Sequence, residues 1–363
     1  MTATTLATAS QVQKWNADFF AEYVRDSGFR PYMATGPNSV INVKYELTSG
    51  GKTINIPLIT RLTGNGVTGS TALEGAEEAL GNYNHPISIS WLRNAVLLTK
   101  DQESYTEMDL RRAARDMLQA WAMDKLRTDI IAALSSIWAS SAAVAYGSAT
   151  AAQRDAWVDR NVDRVMFGQT NSNLSTSAPA GGATYDHSAS LANIASSETL
   201  TASLVTALKR KAKNASRHIR PMKITGGREY FVLFVNSLAM RDLKVDSTMA
   251  TANREARERG VDSNPIFQDG DLIYDGVIIR EIPEIAVLTG VGGSSADVSP
   301  IYLCGAQALG IAWGQEPAST TDVRDYGFYR GVGIDEARGV SKLVFNDVDN
   351  GVVTGFVATA ADA

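Results

Sequence analysis

Between Thr53 and Leu92 the chain alternates twice. In TINIPLI, Ile54, Ile56 and Leu58 take one side, and Thr53, Asn55 and Pro57 the other. In PISISWL, residues 86–92, Ile87, Ile89 and Trp91 oppose Ser88 and Ser90. A period of two marks a half-buried strand, because successive side chains point to opposite faces. Pro57 has no backbone donor, so its strand belongs at a sheet edge. The two runs bracket TGNGVTGSTALEGAEEAL, Thr63 to Leu80. Together they predict an antiparallel ribbon with a small helical tip over Thr71–Leu80. A lone two-stranded ribbon is marginal in water. Its apolar face, with Trp91, therefore needs a partner surface.

Elsewhere the period changes. Residues 11–26 read as an amphipathic helix, with Trp15, Phe19, Tyr23 and Val24 on one face. The stretch after it, with Pro31 and Pro37, has little helical period and reads as an extended arm. Residues 106–138 carry the strongest helical signal: Leu110, Ala113, Met117, Trp121, Ile130, Leu134, Ile137 and Trp138 keep the period. Thr106, with Asp109 three residues on, has a capping-box pattern. From Leu110 to Trp138 such a helix spans roughly 42 Å at 1.5 Å per residue.

Residues 157–167 look strand-prone. The Ser-, Thr- and Gly-rich stretch after Gly168 reads as a long surface loop, and His85 as a loop residue. A helix is predicted near 199–214. From Pro221 onward strand-like runs (MKITG, YFVLFV, LIYDGVIIREI, IYLCGAQALGIAW, SKLVFN) stand among Gly, Asp and Pro, with the polar stretch REARERGVDSNP between two of them. No repeat of 20–50 residues is present. Strands and helices do not alternate strictly, so the class is α+β, not a doubly wound parallel sheet.

Composition narrows the function. The 363 residues carry a net charge of −5, which argues against a protein that works mainly by gripping phosphates. Cys304 is the single cysteine, so no intrachain disulfide and no cysteine metal cage can form. The first ten residues lack the pattern of a secretory signal. No window approaches the roughly 20 apolar residues of a membrane helix. A cytosol-like site of synthesis is expected.

Gly64, Gly66 and Gly69 spell G-x-G-x-x-G, the dinucleotide-binding turn. That turn needs a buried parallel strand before it, a crossover helix after it and an acid about 20 positions on. Here the strand carries Pro57, the predicted helix is short, and no acid stands near Trp91–Arg93. A dinucleotide-binding enzyme using the Gly64–Gly69 loop is the alternative; a pliable loop tip is the preferred reading. GGKT at Gly50–Thr53 lacks the first glycine of a P-loop and reads as a turn. Glu74, Glu77 and Glu78 read first as a solvated acidic patch, next as salt-bridge partners for a protein neighbour, and last as carboxylates for acid–base work. His85, His187 and His218 show no metal-ligand spacing. The basic run Lys209–Arg220 suits either a helix C-terminus or an anionic neighbour such as DNA. No catalytic constellation, cofactor site or metal site emerges.

The chain resembles the major capsid proteins of tailed bacteriophages, of the Hong Kong 97 type. More narrowly, it resembles the phage capsid family named after the N-four phage coat protein. The matching blocks are the segment from INVKYEL to WLRNAV, with LEGAEEAL the most specific; DLRRAARDMLQAWAMDKLRTDIIAAL; YFVLFVNSLAMRDLK; NPIFQDGDLIYDGVIIREIPEI; and DYGFYRGVGIDEARGVSKLVF. The resemblance implies an N-terminal arm at 1–45 and an extended β-ribbon loop at 46–98. It implies a peripheral domain at 99–194 and 321–363 with spine helix 106–138, and an axial domain at 195–320. The function it implies is a non-enzymatic virion subunit, assembled in the host bacterial cytoplasm. Hexamers and pentamers would close an icosahedral shell around double-stranded DNA, without sequence-specific binding. A separate scaffolding protein and a portal are the implied partners; no membrane and no cofactor are. Inter-subunit contacts would fall on Trp15, Phe19, Ile54, Ile56, Leu73, Glu74, Glu77, Glu78, Ile87, Ile89 and Trp91. Another phage structural protein, such as a tail component, is the remaining alternative.

Overall fold

The structure is a computed structural model that describes residues 28–62, 64–70, 72–106, 108–223, 227–255 and 272–360. Trp15 and Phe19, and the polar stretch near 254–265, lie outside the described side chains. The main elements, in chain order, are β1 (Ile41–Lys44), β2 (Thr53–Ile59), β3 (Asn82–Ser88), β4 (Ser90–Thr99), α1 (Leu110–Ser135), α2 (Ala151–Arg160), β5 (Val165–Phe167), α3 (Ala202–Asn214), β6 (Glu229–Val235), β7 (Val277–Glu281), β8 (Asp297–Cys304), β9 (Leu309–Arg324), β10 (Tyr329–Lys342) and β11 (Val352–Thr359). They form two compact units.

The larger unit comprises residues 28–89, 127–314 and 339–363. Its centre is a sheet in the order Leu272–Tyr274, β7, β6, β8, β11, β5. Pairing is mixed: β6 runs parallel to β7, β8 antiparallel to β11, and β11 parallel to β5. Both faces are covered. Leu204, Val205 and Leu208 of α3 pack with Leu233, Ile301 and Val353. Trp157 and Val158 of α2 pack with Phe167, Val298 and Phe356 on the other side. On β6, Phe231, Leu233 and Val235 join the first cluster, and Phe234 on the opposite face meets the rings of Phe29 and Tyr32 at 5.0 and 5.7 Å, so burial on both faces explains the unbroken apolar run YFVLFV. β8 and β11 pair from Asp297↔Thr359 to Cys304↔Val352. The C-terminal strand therefore shares a sheet with strands of the 195–320 block, across the boundary drawn at 320/321.

The smaller unit comprises, among the described residues, 90–126 and 315–338. Here β4 pairs antiparallel with β10, from Tyr329↔Thr99 to Arg338↔Ser90. Ala114, Leu118 and Ala122 of α1 lie against Val332, Ile334 and Val96. The three small or slender helix positions recur every four residues, so one stripe meets the sheet.

Several boundaries differ from the sequence reading. The long helix starts at Leu110, where Asp109 Oδ1 accepts from the Arg112 amide at 3.1 Å; Asp109, not Thr106, caps it. It ends at Ser135, and Ile137 and Trp138 belong to a hairpin, Ser136–Ala139 with Ala142–Ala145. Ser140 (φ 52°) and Ser141 (φ 63°) turn that hairpin, a left-handed pair that matches strand twist. Trp157–Arg160 is helical, because the Thr150–Gln153 capping box starts α2 upstream. Residues 28–44 are not a free arm: Phe29, Val40 and Ile41 are fully buried, and β1 pairs with β9. The loop after Gly168 is anchored at its end, where His187 and Ser190 are buried in a short helix.

Candidate functional site

The ribbon forms, but its second strand is Asn82–Ser88 and not the predicted 86–92. β2 and β3 pair antiparallel, from Thr53↔Ser88 to Ile59↔Asn82, and form a two-stranded sheet in which Pro57 has an open edge. Its base, however, has a seat within its own unit. Ile87 is 2% exposed, packed with Leu47, Ala312, Leu343 and Phe345. Ile54, Ile56, Leu58 and Ile89 pack half-buried on the same cluster. Two glycines make the room. A Cβ on Gly310 would lie 2.6 Å from Ile87 Cδ1, and one on Gly339 would lie 2.2 Å from the Ser88 carbonyl oxygen. The expectation that Ile87 is buried by a neighbour is thereby corrected: its surface is consumed within the chain. Ile54, Ile56 and Ile89 keep only part of theirs.

His85 completes the seat and is not a loop residue. It lies on β3 with the same parity as Ile87, fully buried. Nδ1 is 3.0 Å from the Val344 carbonyl oxygen and Nε2 is 2.9 Å from Ser341 Oγ. The ring lies against Trp138, with centroids 4.9 Å apart. Burial lowers its pKa below the usual histidine value, with the Val344 bond opposing.

The ribbon's tip is an irregular loop. Among the described residues from Arg61 to Gly81 there is no helix, only turns at Gly69–Ser70 and at Glu74–Gly75, where the Ala76 amide donates to the Leu73 carbonyl at 3.0 Å. The predicted tip helix fails at Gly75 (φ +85°), whose amide donates to Glu77 Oε2 at 2.8 Å. Side-chain capture of a backbone donor competes with helix formation. Gly66 (φ +63°) and Gly69 (φ +68°) take the left-handed backbone that other residues resist. The Gly64 amide donates to Glu78 Oε2 at 2.6 Å. A carboxylate thus occupies the donor that a bound phosphate would need. Leu73 and Leu80 stand about 59% and 61% exposed, and Glu74, Glu77 and Glu78 are also exposed.

Trp91 belongs to β4, not to the ribbon, and pairs with Ala337. It is 62% exposed; Leu97, of the same strand parity, is 56% exposed. Both lie on the face opposite Val96, which packs on α1, with Arg93 and Ala95 between them on the same face.

Much of the basic run serves the fold. Lys209 Nζ meets the Asp275 carboxylate at 2.8 Å. Burial lowers the Lys211 pKa, partly offset by Asp163. Arg217 Nη2 donates to the carbonyls of Phe345 at 2.7 Å and Val348 at 3.3 Å. Among the described residues no group of His, Cys, Asp and Glu is placed to hold a metal ion. Cys304 is buried, and burial pushes its thiol pKa up, which suits an inert core thiol.

Sequence reasoning missed His85, Gly310, Gly339 and Phe345. Only His85 carried a local signal, its shared parity with Ile87.

Comparison with known proteins follows the same outline. The family model described as phage capsid protein matches residues 3–361. The major capsid protein of Pseudomonas phage KPP25 is 28% identical over 379 residues, covering 97% of this chain and 96% of the relative. The chain in the cyanophage Pam1 capsid asymmetric unit superposes with a TM-score of 0.90 at 41% identity, covering 100% of both chains. The Ralstonia phage GP4 capsid gives a TM-score of 0.73 at 20% identity, again with 100% of both chains covered.

Proposed function

The chain belongs to the phage capsid protein family, and we propose that it serves there as the major capsid protein. Its fold is the Hong Kong 97 type. Copies would assemble into hexamers and pentamers that close an icosahedral shell around double-stranded DNA. The observation that carries this reading is the full-length match to the Pam1 capsid chain, at 41% identity. Coverage of 100% of both chains favours the same assembly role, not a reused domain. The dinucleotide alternative has no support: the family is structural, and the loop's own carboxylate fills the Gly64 donor.

The proposal extends to the assembly surface. Leu73, Glu74 and Trp91 are the exposed residues best suited to touch a neighbouring subunit. Glu77 and Glu78 shape the loop as well as charge it. The half-buried Ile54, Ile56 and Ile89 would contribute their remaining surface, and Trp15 and Phe19 an arm contact. The loop 46–98, the peripheral parts 99–194 and 321–363, and the axial part 195–320 remain the proposed division of labour, with β11 bridging the last two. A separate scaffolding protein and a portal are the proposed partners, with assembly in the host cytoplasm.

Negative-stain microscopy of the expressed chain, with scaffolding protein where needed, tests the reading. Closed shells are the expected result. A stable monomer under all assembly conditions would overturn it, and open tubes would redirect it to a tail component.

A further inference from the structure

A cleft of about 510 Å³ opens between the outer end of the ribbon and the segment after α3. Arg61, Arg217, His218 and Arg220 line it, beside Leu58 and Ile59. The two carbonyls that hold Arg217 Nη2 fix the guanidinium. Its Nη1 is buried and has no hydrogen-bond partner. Burial, and then the Arg164 guanidinium, lower the Arg217 pKa. Among the described residues, the side chains of Arg61, His218 and Arg220 have no hydrogen-bond or ion-pair partner. Glu78 also lines the cleft, but its Oε2 accepts from the Gly64 amide. Three guanidinium groups therefore face one carboxylate that is already engaged. A cleft lined by unpaired cations, with its one lining carboxylate already engaged, focuses positive potential and suits an anion from outside the chain.

The same chain displays the complement. At the Leu73–Ala76 turn, Leu73 is about 59% exposed, and the exposed Glu74 has no partner among the described residues. We infer that the cleft receives the Leu73–Glu74 corner of a second copy. The Glu74 carboxylate would meet the exposed Arg220 and Arg61 guanidinium groups, and Leu73 would cover Leu58 and Ile59. The mixed lining favours this occupant over a nucleic-acid phosphate, which gains nothing from the two apolar side chains. Tip and cleft are different patches, so the contact is heterologous, the kind that forms rings where its rotation closes. The inference rests on the shell reading and names the acceptor that reading requires.

The test is charge reversal in the full chain: Arg220→Glu, Glu74→Arg, and the two combined. Assembly is read as the fraction of protein in particles, by sedimentation and negative stain. Each single reversal should lower that fraction roughly tenfold or more, since like charges now meet across the contact. The combination should recover most of it. Both side chains are exposed, so the thermal midpoint of unassembled subunits should not move. Single reversals that assemble like wild type would overturn the inference and leave the shell reading intact. So would a combination no better than its worse parent. Normal particles of Arg220→Glu that lose bound nucleic acid would assign the cleft to phosphate, also against the inference. A wild-type chain that stays monomeric would remove the second copy and overturn both.

Discussion

His85 Nδ1 lies 3.0 Å from the carbonyl oxygen of Val344, which ties the second ribbon strand to the body behind it. A carbonyl only accepts, so Nδ1 carries the proton. In the neutral ring Nε2 accepts from Ser341, 2.9 Å away. Burial holds the folded pKa below the unfolded value of 6.5. The folded state then binds fewer protons than the unfolded one, and stability rises with pH across that interval. The contribution is complete above about pH 6.5 and is lost as the pH falls below it. His187 acts with the same sign: it is buried, Tyr146 bonds its Nε2 at 2.9 Å, and its pKa drops to about 3. Thermal unfolding between pH 7.5 and 5 should show a falling midpoint, with His187 alone accounting for on the order of 2 kcal/mol at pH 5. His85→Asn and His187→Asn should each start less stable and show a flatter profile. A wild-type midpoint that is flat over this range would refute the assignment.

Ile87 and Trp91 separate folding from assembly. Ile87 is 2% exposed in the seat, and Trp91 is 62% exposed on β4. Ile87→Ala should cost about 2–5 kcal/mol of subunit stability through lost burial and the cavity left behind. Trp91→Ser should change subunit stability by no more than about 0.5 kcal/mol, yet reduce particle formation. Urea unfolding of unassembled subunits, paired with particle yield, checks both. Equal loss of stability in the two variants would place Trp91 in the subunit's own core.

The ribbon's first strand, its antiparallel pairing and the open edge at Pro57 were legible in the sequence, because period-two alternation is local. The seat was not. It joins Ile87 to Ala312, Leu343 and Phe345, more than 200 positions along the chain, and no local pattern encodes such a contact. The same holds for His85, whose partners are 256 and 259 residues away. The tip helix was misread for a different reason. TALEGAEEAL has helical composition, but Gly75 and the Glu77 carboxylate give the backbone another solution. The end of α1 was misjudged because Ser140 and Ser141 adopt left-handed turn geometry without the glycines that usually announce it. The exposed tip acids were readable, whereas their proposed acceptor combines Arg61 with Arg220 and appears only in the folded chain.

Lys342 and Asp349 form a buried ion pair at 2.8 Å, each side chain 2% exposed. Asp349 also accepts from Trp157 Nε1 at 3.3 Å, and its amide donates to Asn161 Oδ1 at 2.9 Å. The pair thus links the end of β10, the strand Val348–Asp349 and α2. Removing one partner leaves an uncompensated charge in the interior, so Lys342→Met should destabilise by about 3–5 kcal/mol. Adding Asp349→Leu should cost less than the sum of the two single changes, because the stranded charge is gone. A denaturant double-mutant cycle measures the coupling. Strict additivity would show that the two groups do not act as a pair.

Gly66 and Gly339 predict opposite kinds of sensitivity in one ribbon. At Gly66 the backbone is left-handed (φ +63°), but a Cβ would meet nothing within 4 Å. Gly66→Ala should therefore cost only about 1–2 kcal/mol of local backbone strain, spent on an open tip. At Gly339 a Cβ would sit 2.2 Å from the Ser88 carbonyl oxygen and 3.2 Å from Ile87 Cγ2. That obstacle is partly backbone, which cannot swing aside like a side-chain end. Gly339→Ala must lift the ribbon base from its seat, at a cost of about 1–3 kcal/mol or more. Hydrogen exchange of the Thr53–Ile59 and Asn82–Ser88 amides distinguishes the two. Gly339→Ala should accelerate exchange in both strands, and Gly66→Ala should leave them near wild type. The reverse order would mean that the tip, not the seat, sets the ribbon's position.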